Sequence, residues 1–122
     1  MQVDHGIWMV LKKMFPNNDK KACIITINMQ AMSEEYFGIG EKLQAFREKG
    51  YMIFCSGNIV HNFDFIDSNS EAIYPWAREF NELIASHILS RNFDTIINYQ
   101  GLKDYEKAFK TKEHFAPLIF AI

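Results

Sequence analysis

Three histidines stand far apart in this chain: His5, His61 and His114. Each has an acidic or amide neighbour, respectively Asp4, Asn62 and Glu113. Separated histidines that converge in a fold are how zinc and non-haem iron centres are built. Imidazoles can also move protons, because their ordinary pKa is near neutrality. Spacing alone leaves plainer roles open, since a loop histidine is commonly a surface or hydrogen-bonding residue. No HExxH motif and no CxxC pair is present.

The elements around these residues read as follows. His61 lies in the stretch Ser56-Gly57-Asn58-Ile59-Val60-His61-Asn62. Before it comes Tyr51–Cys55, an apolar run that reads as a buried strand. Ser56-Gly57-Asn58 then supplies turn residues. A polar loop at a strand end is where open α/β sheets place ligands. His5 opens an apolar stretch, Gly6–Phe15, that Pro16 stops; this reads as a short buried helix with Asp4 as N-cap. Thr111-Lys112-Glu113-His114 reads as another helix start with Thr111 as N-cap, and Pro117 as a bend. First-turn positions disfavour a cation, which suits neutral ligand nitrogens at His5 and His114.

Ala22–Asn28 is β-branched and reads as a second buried strand. Ser33 begins a helix with Glu34 and Glu35 in its first turn, a stripe of Tyr36, Ile39, Leu43 and Phe46, and Gly50 as its stop. Pro75 suits the first turn of a helix whose apolar face holds Trp76, Phe80, Leu83, Ile84, His87 and Ile88, with His87 read as a core residue. Gly101–Phe109 reads as a further short helix. The acids Asp64, Asp67 and Glu71 read as a solvated loop and not as a calcium site, because their spacing fits no EF-hand. Strand, helix, strand, loop and helix together imply an α/β fold with a mixed sheet core and flanking helices.

The 122 residues suit one domain, 1–122, able to bury roughly two-thirds of its unfolded surface. A formal net charge of −2 without a basic block argues against a nucleic-acid partner. No apolar run approaches a membrane span, and the start reads as carrying no signal peptide. Cys23 and Cys55 sit in apolar runs and read as small core residues of a reducing cytoplasm. Eleven phenylalanines imply a large core, an apolar pocket, or a surface that something covers.

The wording of four blocks is more specific than their spacing. Asp4-His5-Gly6-Ile7-Trp8 resembles the Asp-His-Gly segment of the class III extradiol ring-cleaving dioxygenases of the DOPA-dioxygenase type. Glu48-Lys49-Gly50, a strand-like run, and then Ser56-Gly57-Asn58 with His61-Asn62 resemble that family's "serine-glycine-asparagine, histidine-asparagine" block. Tyr74-Pro75-Trp76-Ala77-Arg78-Glu79-Phe80 is similar to its Trp-Ala-x-x-Phe helix, and Ala108 to Leu118 to its Thr-Pro-Glu-His…Pro-Leu segment. The four blocks occur in the family's order and spread over nearly the whole chain.

The resemblance implies a chemistry: opening a catechol such as DOPA beside its two hydroxyls with molecular oxygen and a metal, zinc or non-haem iron(II). It assigns His114 to the metal, His61 to the metal or to acid–base work, and His5 to a second catalytic role in the pocket. It also implies an incomplete catalytic domain, the C-terminal half, because family members are about twice as long and carry two further histidine ligands in their N-terminal half. Lys110 and Lys112 stand where the family's last motif has prolines. Unpaired strands would then need cover from a homo-oligomer or a complementing N-terminal chain. The alternatives are a non-catalytic remnant and an unrelated small α/β binding module.

Overall fold

The computed structural model describes residues 5–17, 21–67 and 72–122, without the side chain of His5. The expected N-cap Asp4 and the loop acid Glu71 lie outside the described residues. Among the described residues six α-helices follow in order: α1 (His5–Met14), α2 (Ser33–Glu48), α3 (Pro75–Leu89), α4 (Phe93–Ile97), α5 (Tyr105–Ala108) and α6 (Ala116–Ala121). Short 3-10 turns occupy Phe63–Phe65 and Tyr99–Gly101.

The expected α/β fold with a mixed sheet core is not formed. The chain is 55% helical with 2% strand, and the described residues contain no sheet. Their single isolated bridge pairs His61 with Phe109 in parallel. The reason lies in what a strand is. Residues 22–28 and 51–55 have strand composition, but a strand exists only as one side of a ladder. Neither run meets a second strand among the described residues. Nor are they buried: Ile25 is 53% exposed and Met52 72%. Cys23 and Cys55 are exposed and free, contrary to a core role.

The helices follow local chemistry more closely. The Met32 amide donates to Glu35 Oε2 at 2.7 Å, closing the start of α2. Gly50, at φ +85°, adopts the left-handed conformation that ends it. Tyr36 is buried on α2 and donates its hydroxyl to the Asn28 carbonyl at 2.7 Å. Leu43 packs on the core, whereas Ile39 and Phe46 remain exposed. Pro75 starts α3, and Phe80 and Ile84 carry its buried face. Helix α1 forms where expected, but Trp8, Met9, Val10 and Met14 stay exposed. No described helix is long and apolar enough to cross a membrane.

The core is largely aromatic and sits between α2, α3, α4 and α6. Tyr36 stacks on Phe120 with centroids 5.3 Å apart, joining α2 to α6. Phe109 stacks on Phe115 at 4.8 Å, and Tyr99 meets both edge-on at 5.2 and 5.1 Å. Phe115 and Ala108 are fully buried. These residues flank the segment that carries His114, so the core and the site share a wall.

Asp104 supports α5 from its N-cap, in the left-handed region at φ 65°. Lys107 Nζ donates to Asp104 Oδ1 at 2.6 Å. That hydrogen bond, aided by the charges of Lys107 and Lys103, holds the Asp104 carboxyl below its ordinary range. A carboxylate depressed in the folded state stabilises above its unfolded pKa, and the stabilisation is lost as pH falls through the folded value. Asp104→Asn is therefore expected to lower Tm at neutral pH. The deficit should shrink below about pH 4, read by thermal unfolding across pH.

Candidate functional site

The site is built where the loop 56–62 lies on the segment 107–114. The Asn58 amide donates to the His114 carbonyl at 2.9 Å, and the His61 amide to the Ala108 carbonyl at 2.7 Å. The Asn62 side-chain amide donates to the Lys107 carbonyl at 2.9 Å. Gly57 makes the approach possible, since a Cβ there would lie 2.1 Å from the His114 carbonyl oxygen. No side chain fits that gap. With the two backbones held this close, the His61 and His114 rings stack at 3.7 Å, inclined by 17°. Both residues are half-buried.

Two of the three sequence-nominated histidines thus lie together. His5 begins α1, and its side chain is outside the described residues. The expected helix start at Thr111 is also corrected. Residues 112–115 form turns, and α6 begins at Ala116, with Pro117 in its first turn where proline is favoured. Thr111 does not cap a helix; its hydroxyl donates to Glu113 Oε1 at 2.5 Å. That bond, with smaller contributions from His114 and His61, keeps the Glu113 carboxyl below its ordinary range. A carboxylate is thereby held in sequence contact with His114.

Sequence reasoning missed several positioning residues. Lys112 reaches Ala31, donating to its carbonyl at 2.6 Å, with the ammonium 5.4 Å from the Tyr36 ring centroid. It ties the His114 segment to the turn before α2. Asn62 is a structural residue, because its Oδ1 also accepts from the Asp64 amide at 3.1 Å. Gly57 was legible as a turn residue, but the contact it permits, 57 residues away in sequence at His114, has no local signal.

A cleft of about 260 Å³ has His61 in its lining. Its walls include Phe65, Tyr74 and Trp76, which pack on one another with centroids 5.0 to 6.0 Å apart. Phe63 meets the His61 ring edge-on at 4.8 Å.

Comparison with known proteins decides the family. All of residues 1–122 match LigB, the catalytic LigB subunit of aromatic ring-opening dioxygenase. The chain belongs to the LigB family. Within that family it is similar to the 4,5-DOPA dioxygenase extradiol of Escherichia coli K12, at 32% identity over 98% of this chain and 45% of the relative. It is similar to the protein of the same name from Portulaca grandiflora at 27% identity, again over 98% and 45%. The crystal structure of an uncharacterized Escherichia coli K12 protein superposes with a TM-score of 0.87 at 31% identity, covering 99% of this chain and 51% of that one. The chain therefore spans about half the length of the proteins it matches. The motif resemblance and the comparisons agree on the family.

Either imidazole, His61 or His114, can give zinc or iron one nitrogen, but rings stacked nearly parallel at 3.7 Å do not aim both nitrogens at one ion in this arrangement. A catalytic centre takes about three protein ligands, and no group of three or more histidine, cysteine or acidic side chains is placed to hold a metal among the described residues.

Gly57→Ala is expected to destabilise the chain by about 1–3 kcal/mol, the usual cost of forcing atoms into a filled site. Gly101→Ala, with nothing within 4 Å of the added carbon, serves as the control. Urea unfolding followed by circular dichroism reads both.

Proposed function

We propose that this chain is the C-terminal half, 1–122, of an extradiol dioxygenase catalytic domain that opens a catechol ring with O2. The observation that carries the proposal is the His61–His114 stack within a chain matching the LigB family from end to end. DOPA is the substrate in the names of the relatives and is the first catechol to try. His114 is proposed as a metal ligand, His61 as a further ligand or the acid–base group, and His5 as a second catalytic histidine. The metal, zinc or iron(II), would act as a Lewis acid toward the catechol oxygens when bound.

The residues of this chain have their own tasks. His61, held at its amide by Ala108, can take or give a proton at its ring nitrogen. The Glu113 carboxylate, fixed by Thr111, favours a positive charge beside it. The remaining metal ligands are proposed to come from a complementing N-terminal polypeptide. Two facts support this. The accessible surface is 9453 Å², against about 6,800 Å² for a compact protein of this size. The excess includes the exposed apolar residues of the runs 22–28 and 51–55. A homo-oligomer is the competing way to cover that surface. Both free thiols suit the cytoplasm.

The test is co-expression with the N-terminal half of the Escherichia coli relative, followed by oxygen uptake with catechol and iron(II). A one-to-one complex that consumes oxygen, with uptake reduced about a hundredfold or more in His61→Ala and in His114→Ala, is expected; removing a catalytic acid–base group alone costs about 10²–10⁴. A stable complex without uptake would overturn the catalytic assignment and leave a non-catalytic remnant.

A further inference from the structure

We propose that Lys112 is a positioning residue for the reaction: its ammonium anchors the turn that presents His114 to a post formed by Ala31 and Tyr36. The proposal deepens the functional reading above and rests on it for the task of His114.

The turn 112–115 needs support from outside itself. Lys112 stands where the family's last motif has a proline, a residue that fixes its own φ. A lysine leaves that dihedral free, so stiffness has to come from the side chain. Both ends of Lys112 are engaged. Its carbonyl accepts the amides of Phe115 at 3.0 Å and Ala116 at 2.7 Å, so His114 lies inside the turn that this carbonyl closes. Its Nζ donates to the Ala31 carbonyl at 2.6 Å, across 81 positions of sequence. Ala31 is buried and Lys112 half-buried. A charged donor on a sheltered carbonyl holds more strongly than a neutral one.

The post is itself fixed. The Asn28 carbonyl accepts the Ala31 amide at 3.0 Å and the Tyr36 hydroxyl at 2.7 Å. The Tyr36 ring lies 5.4 Å from the Lys112 ammonium, within cation–π range, and stacks on Phe120 of α6 at 5.3 Å. Tyr36 therefore meets both the residue that opens the His114 turn and the helix that follows it. The neighbouring bonds do less. Lys110 and Asp64 pair with side chains 61% and 58% exposed, where an ion pair contributes little. Thr111 bonds Glu113 within the segment. The Lys112 bond reaches the core.

The test begins with nuclear Overhauser spectra of the metal-free chain. Contacts from the Lys112 ε-methylene to the Tyr36 ring protons are expected in the wild type, and their absence overturns the tether whatever the variants do. Lys112→Met keeps the stem and removes the charge. It should weaken the cross-peaks between the His61 and His114 rings at least threefold, measured against the Tyr36–Phe120 cross-peaks. Lys112→Arg, which keeps the charge, and Lys110→Met, which removes the exposed pair, should stay within twofold of wild type. Unchanged histidine cross-peaks in Lys112→Met, or equal losses in Lys112→Met and Lys112→Arg, overturn the proposal. In the complemented protein Lys112→Met should lower kcat for oxygen uptake with catechol by about tenfold or more, since misplacing a reacting group is costly. KM should stay within threefold, and Lys112→Arg should restore kcat; a loss confined to KM overturns the positioning role. A complemented wild type that consumes no oxygen counts against the dioxygenase reading, while the ring cross-peaks still decide whether Lys112 positions His114.

Discussion

The contact on which the site depends is between backbones. Gly57 and Asn58 lie against the His114 carbonyl so closely that a side chain at 57 has no room, and the Asn58 amide satisfies that oxygen. Three residues later the His61 amide does the same for Ala108. Two loops are joined at several points, and a histidine leaves each of them at the join. The 3.7 Å ring separation follows from this spacing. Backbone hydrogen bonds are well suited to the task, because they fix position without using the side chains that chemistry needs.

The join is firm because it is built on the core. Phe109 and Phe115 bracket the His114 turn, stack on each other and are held by Tyr99. Tyr36 and Phe120 continue the same packing into α2 and α6. Lys112 adds a tether to Ala31. Other parts of the chain are different in kind. There α1 and the runs 22–28 and 51–55 present apolar side chains outward. The chain joins its two histidine-bearing loops firmly, leaves a large apolar surface open, and matches its family from end to end at about half the relatives' length.

The sequence was informative in proportion to how local the governing interaction is. Helices α2 and α3 were legible because Glu35, Gly50 and Pro75 act within one turn of their own positions. The mixed sheet was misjudged because Ala22–Asn28 and Tyr51–Cys55 carry strand composition, whereas a strand needs a partner that composition cannot supply. Thr111 looked like an N-cap but bonds the side chain of Glu113, and α6 starts five residues later. His61 and His114 were found through the wording of whole motifs. Their proximity was not legible, since it arises from contacts between residues 47 and 56 positions apart. The aromatic cleft had no periodic signal, because its walls come from a loop and from the first turn of α3.

The most direct test of the backbone join is a nuclear Overhauser measurement between the ring protons of His61 and His114, on the metal-free chain and on Gly57→Ala. Cross-peaks between the two imidazoles in the wild-type chain, lost in the variant while the core aromatic resonances persist, are the result this account requires. Absent cross-peaks in the folded wild-type chain, or cross-peaks that survive Gly57→Ala unchanged, would contradict it.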